Sequence, residues 1–200
     1  MEGEQWETGL KYQPPGSRDL YTLSLFRINQ ENVATKEQPT DPYRSVGEIR
    51  SQGIELQAQT WLTDNFRLQA GYSYTDIRYT KSDDPNEDGN YAIYAPRHQA
   101  SLWGHYTFDR GALDGMDAGV GVRYYADIYA DRANTEMVPD YTLVDAALGY
   151  DLSQVGLQGV SARVNVGNLL DKEYVASCNS LEYCYFGAER NVTATVSYQF

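Results

Sequence analysis

The chain has 200 residues, a formal net charge of −12 and a mean hydropathy of −0.58. The acidic balance argues against binding to a nucleic-acid backbone, and no apolar run approaches the ~20 residues of a membrane-spanning helix. A membrane-spanning β-barrel stays possible, because only every second residue of its strands must be apolar.

Segments in which apolar and polar residues alternate recur along the whole chain, and each predicts a β-strand. In chain order they are 6–12, 20–26, 54–61, 66–74, 100–108, 118–128, 144–150, 160–166 and 191–200. In the last segment, NVTATVSYQF, the apolar face carries Val192, Ala194, Val196, Tyr198 and Phe200. The sequence therefore predicts about nine strands, each with one apolar and one polar face.

The connections between these segments alternate between short and long. Short links at 14–19, 62–65, 110–116 and 153–159 lie between longer ones at 30–45, 81–96, 129–139 and 170–187. A soluble sandwich gives no reason for this alternation, whereas an outer-membrane barrel has tight periplasmic turns and long outer loops. We therefore expect an all-β fold, an antiparallel transmembrane β-barrel in a bacterial outer membrane. Because bacterial barrels usually have an even strand count, nine strands indicate the last arc of a larger barrel; a complete barrel of about eight or ten strands is the alternative.

In such a barrel the apolar faces contact lipid and the polar faces line a wet lumen. The predicted lipid-facing residues include Leu56, Leu68, Ala70, Leu102, Val120, Val122, Val164 and Val196. The predicted lumen-facing residues are Glu55, Gln57, Gln59, Arg67, Gln69, His105, Arg123, Asp127, Asp145, Arg163 and Asn165. Trp103 and Tyr125 alternate onto the lumen side, so they are candidate ligand contacts, although such residues often simply line a barrel.

Two cysteines, Cys178 and Cys184, lie close together in the last long connection. In an exported protein such a pair predicts a local disulfide, with two free thiols as the alternative. The stretch DDPNEDGN at 83–90 matches half of a calcium-binding loop, but Ala95 stands where a bidentate Glu is required. We therefore expect a solvated acidic loop and no metal site. Because no G-x-S-x-G motif or local Ser–His pair is present, we expect no catalytic residues and no enzyme.

The C-terminal stretch VGNLLDKEYVASCNSLEYCYFGAERNVTATVSYQF at 166–200 resembles the end of TonB-dependent siderophore receptors, especially the ferrichrome-iron receptor group. The matching features are NLLDKEY at 168–174, the cysteine pair, FGAER at 186–190 and the final Phe200; 47–59 and 95–108 are also similar to strands of this group. The resemblance implies a barrel of about 22 strands around an N-terminal plug. Residues 1–200 would be the C-terminal part of that barrel domain, with the plug and TonB box absent.

The resemblance further implies an outer-membrane receptor for TonB-dependent uptake of a ferric hydroxamate-type siderophore, which this fragment alone would not perform. No cofactor is implied, because iron would enter only as part of the siderophore. The implied partners are the ferric siderophore, TonB acting through the absent plug, outer-membrane lipid and the barrel-assembly machinery, whose signal includes Phe200. Tyr185 and Phe186, just after Cys184, are the ligand-binding residues that the resemblance implies. A passive porin-like channel and, further away, an outer-membrane barrel lipase are the alternatives.

Overall fold

Strands dominate the computed structural model, which describes residues 2–35, 40, 44–82, 84 and 86–200. In chain order the strands are β1 (Glu2–Tyr12), β2 (Leu20–Thr35), β3 (Arg44–Trp61), β4 (Phe66–Lys81), β5 (His98–Thr107), β6 (Met116–Ala126), β7 (Ile128–Tyr129), β8 (Met137–Val138), β9 (Tyr141–Asp151), β10 (Val160–Gly167), β11 (Val175–Ser180), β12 (Tyr183–Phe186) and β13 (Asn191–Tyr198). Two 3₁₀ turns lie at Gly111–Leu113 and Leu152–Val155. Among the described residues, no helix is long and apolar enough to cross a membrane.

Nine of these strands form one antiparallel sheet in the order β1-β2-β3-β4-β5-β6-β9-β10-β13. Each of the nine overlaps one segment whose alternation predicted a strand, so the predicted antiparallel arrangement is confirmed. Strands β2, β3 and β4 have 16, 18 and 16 residues, more than the ~9–11 that cross a bilayer. Their additional length lies on the side of the long connections, so in a membrane-spanning barrel these strands would extend beyond the bilayer there.

The short turns are tied to one another at the opposite end of the sheet. The carboxylate of Asp19, in the β1–β2 turn, accepts a hydrogen bond of 2.8 Å from the backbone N–H of Trp61 at the end of β3. This bond is the main reason why the pKa of Asp19 lies below its usual value, and a hydrogen bond with Ser17 is the second reason. The guanidinium of Arg18 lies 5.0 Å from the centre of the Trp61 ring. These turns are therefore held by side-chain contacts in addition to backbone hydrogen bonds.

The strand register collects the apolar residues on one face. Leu56 pairs with Leu23 and Tyr72, and Leu102 pairs with Ala70 and Val122. None of the eight residues predicted to face lipid lies in the buried core, and most of their side chains are exposed in this chain. The alternation therefore collected these residues correctly on one face of the sheet, and the contact of this face with lipid stays a prediction.

Aromatic side chains border this apolar face at two levels. Tyr72 and Tyr124 lie in one row of cross-strand partners, and Phe66 and Tyr106 lie in another. The rows are six positions apart on β4, or about 20 Å at ~3.3 Å per residue. The separation is close to the height of the apolar band that aromatic girdles flank in outer-membrane barrels. We therefore expect the bilayer to lie between these rows.

Asp127 departs from the predicted lumen-facing set. Its backbone has φ 56°, which ends β6 at Ala126 and interrupts the alternation. Its carboxylate lies 3.6 Å from Nε2 of His98, whose Nδ1 is 2.9 Å from the hydroxyl of the outward-facing Tyr72. The prediction that Asp127 faces the lumen was therefore wrong, because the left-handed residue turns its side chain to the other face.

Candidate functional site

Two long connections contain small hairpins that alternation did not predict. Strands β7 and β8 pair within the β6–β9 connection, and β11 and β12 pair within the β10–β13 connection. Both hairpins contribute to a compact hydrophobic cluster with the start of β9, which we call the mouth core. Its buried members are Ile128, Ala130, Val138, Tyr141, Leu143 and Cys178. This packing gives the outer end of the arc a defined shape.

A stack of three tyrosines connects the inner wall with the last connection. The ring centres of Tyr125 and Tyr141 are 5.0 Å apart, and those of Tyr141 and Tyr174 are 4.4 Å apart. The carbonyl of Tyr174 accepts a 2.8 Å hydrogen bond from the N–H of Gly187. A Cβ atom at position 187 would collide with the Tyr174 ring. Glycine is therefore required there, directly after Phe186, for the two segments to approach so closely.

The hairpin of β11 and β12 carries the predicted ligand-binding residues. Cys178 and Cys184 are opposite one another in its register and are joined by a disulfide, as predicted. Cys178 is 2% exposed in the mouth core, whereas Phe186 is 81% exposed and Tyr185 is also exposed. The hairpin thus has a buried anchor on one strand and projecting aromatic rings on the other.

The NLLDK and FGAER motifs form the base of this last connection. The side chain of buried Asn168 donates to the carbonyls of Lys172 and Ala188, at 2.8 and 3.1 Å. The Asp171 carboxylate accepts a bond from the Arg190 backbone N–H and another from its guanidinium, at 2.8 and 2.9 Å. These two bonds hold the pKa of Asp171 below its usual value, and the bond from the backbone N–H has the larger effect. The motifs that carry the family resemblance therefore close the loop that presents Tyr185 and Phe186.

A second contact joins the β4–β5 connection to the β6–β9 connection. Glu87 and Arg132, both largely buried, form an ion pair at 3.4 Å. Asn134 accepts from the Tyr91 N–H at 2.6 Å and donates to its carbonyl at 3.0 Å, and the rings of Tyr91 and Tyr129 stack 5.3 Å apart. The two connections are therefore one packed unit.

The acidic stretch after β4 uses two of its carboxylates within its own loop. Asp84 accepts a 3.0 Å bond from the Asn86 N–H, and Asp88 accepts one of 2.5 Å from the Ser82 N–H. Beyond this loop, the ring of Tyr94 lies 6.4 Å from that of Tyr185. The β4–β5 connection thereby reaches the disulfide hairpin through an aromatic contact.

Polar residues line the inner wall below the mouth. On β6, Arg123 donates two bonds to the Asp145 carboxylate, at 2.5 and 2.9 Å, and Asp145 also accepts from the Asn168 N–H at 2.9 Å. Nearer the short turns, Nε2 of His105 lies 3.1 Å from Asp117. These side chains are satisfied by one another, which explains how charged residues are accommodated on the face of the sheet that looks into the barrel.

Trp103 lies in the wall beside glycines. A Cβ atom at Gly119 would be 2.7 Å from Cζ2 of its indole, and one at Gly121 would collide with the ring. The indole therefore lies flat against β6. Trp103 and Tyr125 line adjoining clefts of 400 and 310 Å³, which share Gln57, Gly71 and Ser101.

The structure brings some of the four predicted ligand residues together and leaves one apart. Tyr125 reaches the mouth through its stack with Tyr141 and Tyr174, and Tyr174 is hydrogen-bonded to Gly187, directly after Phe186. Trp103 pairs with Gly121, four positions before Tyr125, so it lies about 13 Å further down the wall. Sequence analysis missed Tyr94, Tyr141 and Tyr174; the abundance of tyrosine in the long connections was the available signal.

Comparison with known proteins identifies the family that shares this architecture. The family model described as "TonB dependent receptor-like, beta-barrel" matches residues 1–169. The chain is 57% identical over its whole length to the ferrioxamine B receptor of Salmonella typhimurium and 40% identical to the ferrichrome outer membrane transporter/phage receptor of Escherichia coli. It covers 28% and 26% of those proteins, respectively.

A solved structure agrees in shape with this arc. The siderophore receptor PiuA from Acinetobacter baumannii superposes with a TM-score of 0.73 at 29% identity, over 98% of this chain and 28% of that one. The nine-stranded sheet is thus part of a larger barrel of the same kind. The chain belongs to the TonB-dependent receptor family, as an arc of its outer-membrane β-barrel.

Proposed function

We propose that this arc belongs to a receptor that imports a ferric hydroxamate siderophore through the outer membrane. The observation that carries the proposal is the agreement of the whole chain with relatives named as ferrioxamine and ferrichrome receptors. The projecting rings of Tyr185 and Phe186 support it, because aromatic faces at the outer mouth suit the apolar methylene spacers of such a ligand. The similarity to receptors favours active uptake over passive diffusion.

In this proposal the arc supplies the outer part of the ligand site and the rest of the receptor supplies the other components. The plug completes the ligand site and receives the pull of TonB, and iron crosses only within its siderophore. Residues 1–200 contribute the C-terminal part of the barrel domain and make the barrel's contact with lipid. Cells that produce only residues 1–200 should therefore not take up iron–siderophore complexes.

The test of the ligand site is the double variant Tyr185→Ala/Phe186→Ala in the full-length receptor. We expect its affinity for ferrioxamine B to fall by about tenfold or more, because truncating two anchoring aromatic rings commonly costs over 1 kcal/mol each. A matched control is Val155→Ala/Leu157→Ala in an exposed turn at the opposite end of the sheet. Isothermal titration calorimetry measures both. Equal affinity of the double variant and the control would remove these two residues from the site.

We also propose that Phe200 is read by the barrel-assembly machinery. Its side chain is fully exposed, and its ring lies 6.3 Å from that of Tyr198 at the end of the last strand. Replacing Phe200 with Ala should lower the amount of folded receptor in the outer membrane several-fold, whereas Gln199→Ala should not. Heat-modifiable mobility of membrane fractions in electrophoresis measures folded receptor, and equal amounts for both variants would contradict the assignment.

A further inference from the structure

Tyr94 has a backbone conformation that its side chain disfavours. Its φ is 68°, in the left-handed region. The other described non-glycine residues with positive φ are Asn32, Asp127, Asn134, Asn168 and Asp171. Asn and Asp tolerate this region because their short side chains bond locally, whereas a bulky residue there is strained. Among the described residues, Tyr94 is therefore the exception.

The residues that flank Tyr94 in the sequence hold it in this conformation. Before it, the N–H of Ala92 donates to the carbonyl of Ile77 at 2.8 Å, and Ile93 is buried. After it, the carbonyl of Arg97 accepts from the N–H of Thr75 at 2.9 Å. The connection is thus fixed to β4 on both sides of the turn. The buried Ile93 already anchors the segment, so the Tyr94 ring is not needed for that purpose.

The Tyr94 ring stays accessible. It is 46% exposed and is tilted by 49° against the ring of Tyr185 from the disulfide hairpin. Partial burial, together with Tyr185, raises the pKa of the Tyr94 phenol, so its hydroxyl keeps its proton at neutral pH. The two rings come from the β4–β5 and β10–β13 connections, and together they offer an exposed apolar surface with a hydrogen-bond donor.

We propose that Tyr94 is a ligand-contacting residue of this receptor, paired with Tyr185. The inference rests on the proposed function and extends it to the β4–β5 connection. The ring faces would pack against the methylene spacers of a ferric hydroxamate, and the phenol would donate to its amide or hydroxamate carbonyl oxygens. Strained residues of this kind persist where the surrounding structure holds them for binding. An Asn or Gly would fit the backbone better, so the presence of Tyr points to a role for its ring.

The experiment uses three variants of the full-length receptor: Tyr94→Asn, Tyr94→Gly and Tyr94→Phe. Asn and Gly fit the left-handed backbone but remove the ring, so affinity for ferrioxamine B should fall about tenfold or more while the melting temperature stays equal or rises. Phe keeps the ring and should bind within about threefold of the original receptor, since one neutral hydrogen bond contributes little. Asn32→Gly, at another left-handed position, is the control and should leave the affinity unchanged.

Each other result has a distinct meaning. If the Asn and Gly variants bind as tightly as the original receptor, Tyr94 is not a ligand contact. If they lose affinity and their melting temperature also falls, the ring stabilises the fold and the proposal is overturned. If the original receptor itself does not bind ferrioxamine B while it is folded, the proposed function fails first, and the inference fails with it.

Discussion

Replacing Val122 with Arg is expected to destabilise the folded barrel by about 2–4 kcal/mol. Val122 lies on the outward face of β6, where it pairs with Leu102 and Val144. Its row falls between the two aromatic rows, so a guanidinium there would enter the hydrocarbon near its middle. No described acidic side chain shares that row of partners, and the charge would be desolvated without compensation.

The measurement is reversible unfolding of the full-length receptor by guanidinium chloride in lipid vesicles. Val155→Arg is the matched control, because it adds the same charge in an exposed short turn, where the cost should be within about 0.5 kcal/mol. Equal stabilities of the two variants would show that this face of β6 does not contact lipid. The result therefore tests the orientation of the whole sheet.

Replacing Ile128 with Ala should cost the mouth core about 2–5 kcal/mol, the range for removing a large buried aliphatic side chain. Ile128 is 1% exposed and packs in one cluster with Val138 and Cys178. The cavity would loosen the contact between the β7–β8 and β11–β12 hairpins. The membrane-spanning strands have their own backbone ladders, and they should remain folded.

Hydrogen exchange followed by mass spectrometry checks this expectation in the full-length receptor. Faster exchange should appear in 127–140 and 175–186, with β4 and β5 unchanged, and affinity for ferrioxamine B should decrease as Tyr185 loses its support. Met137→Ala, on the neighbouring strand β8 but exposed, should change neither quantity. Loss of protection throughout the barrel would show that the mouth core and the wall unfold together.

The strands were predictable because the bilayer imposes a period of two on every segment that crosses it. This constraint ends where the strands leave the bilayer, and the predicted strand boundaries are inaccurate there. The alternation placed the start of β3 at Ile54, whereas the strand begins at Arg44. Its outer part contains charged residues and two glycines. Apolar and polar residues need not alternate there, because that part of the strand has no face in contact with lipid.

The mouth was less predictable because its packing is not periodic. Strands β7 and β8 have two residues each, too short for any pattern to mark. Ile128, Val138 and Cys178 meet in one cluster although they lie in two different connections. The left-handed backbone of Tyr94 leaves no trace in its residue type, since Tyr is the opposite of what that conformation favours. Tyr185 and Phe186 were identified through the resemblance of their loop, and their role remains a prediction.

The position of the disulfide predicts an order of events during biogenesis. Cys178 and Cys184 are six residues apart, so their thiols meet easily in an unfolded chain, without any barrel around them. Once the mouth core has packed, Cys178 is almost inaccessible to an oxidant. We therefore expect oxidation to precede packing, with the disulfide forming in the periplasm before the polypeptide is inserted. The segment would then cross the membrane as a closed loop.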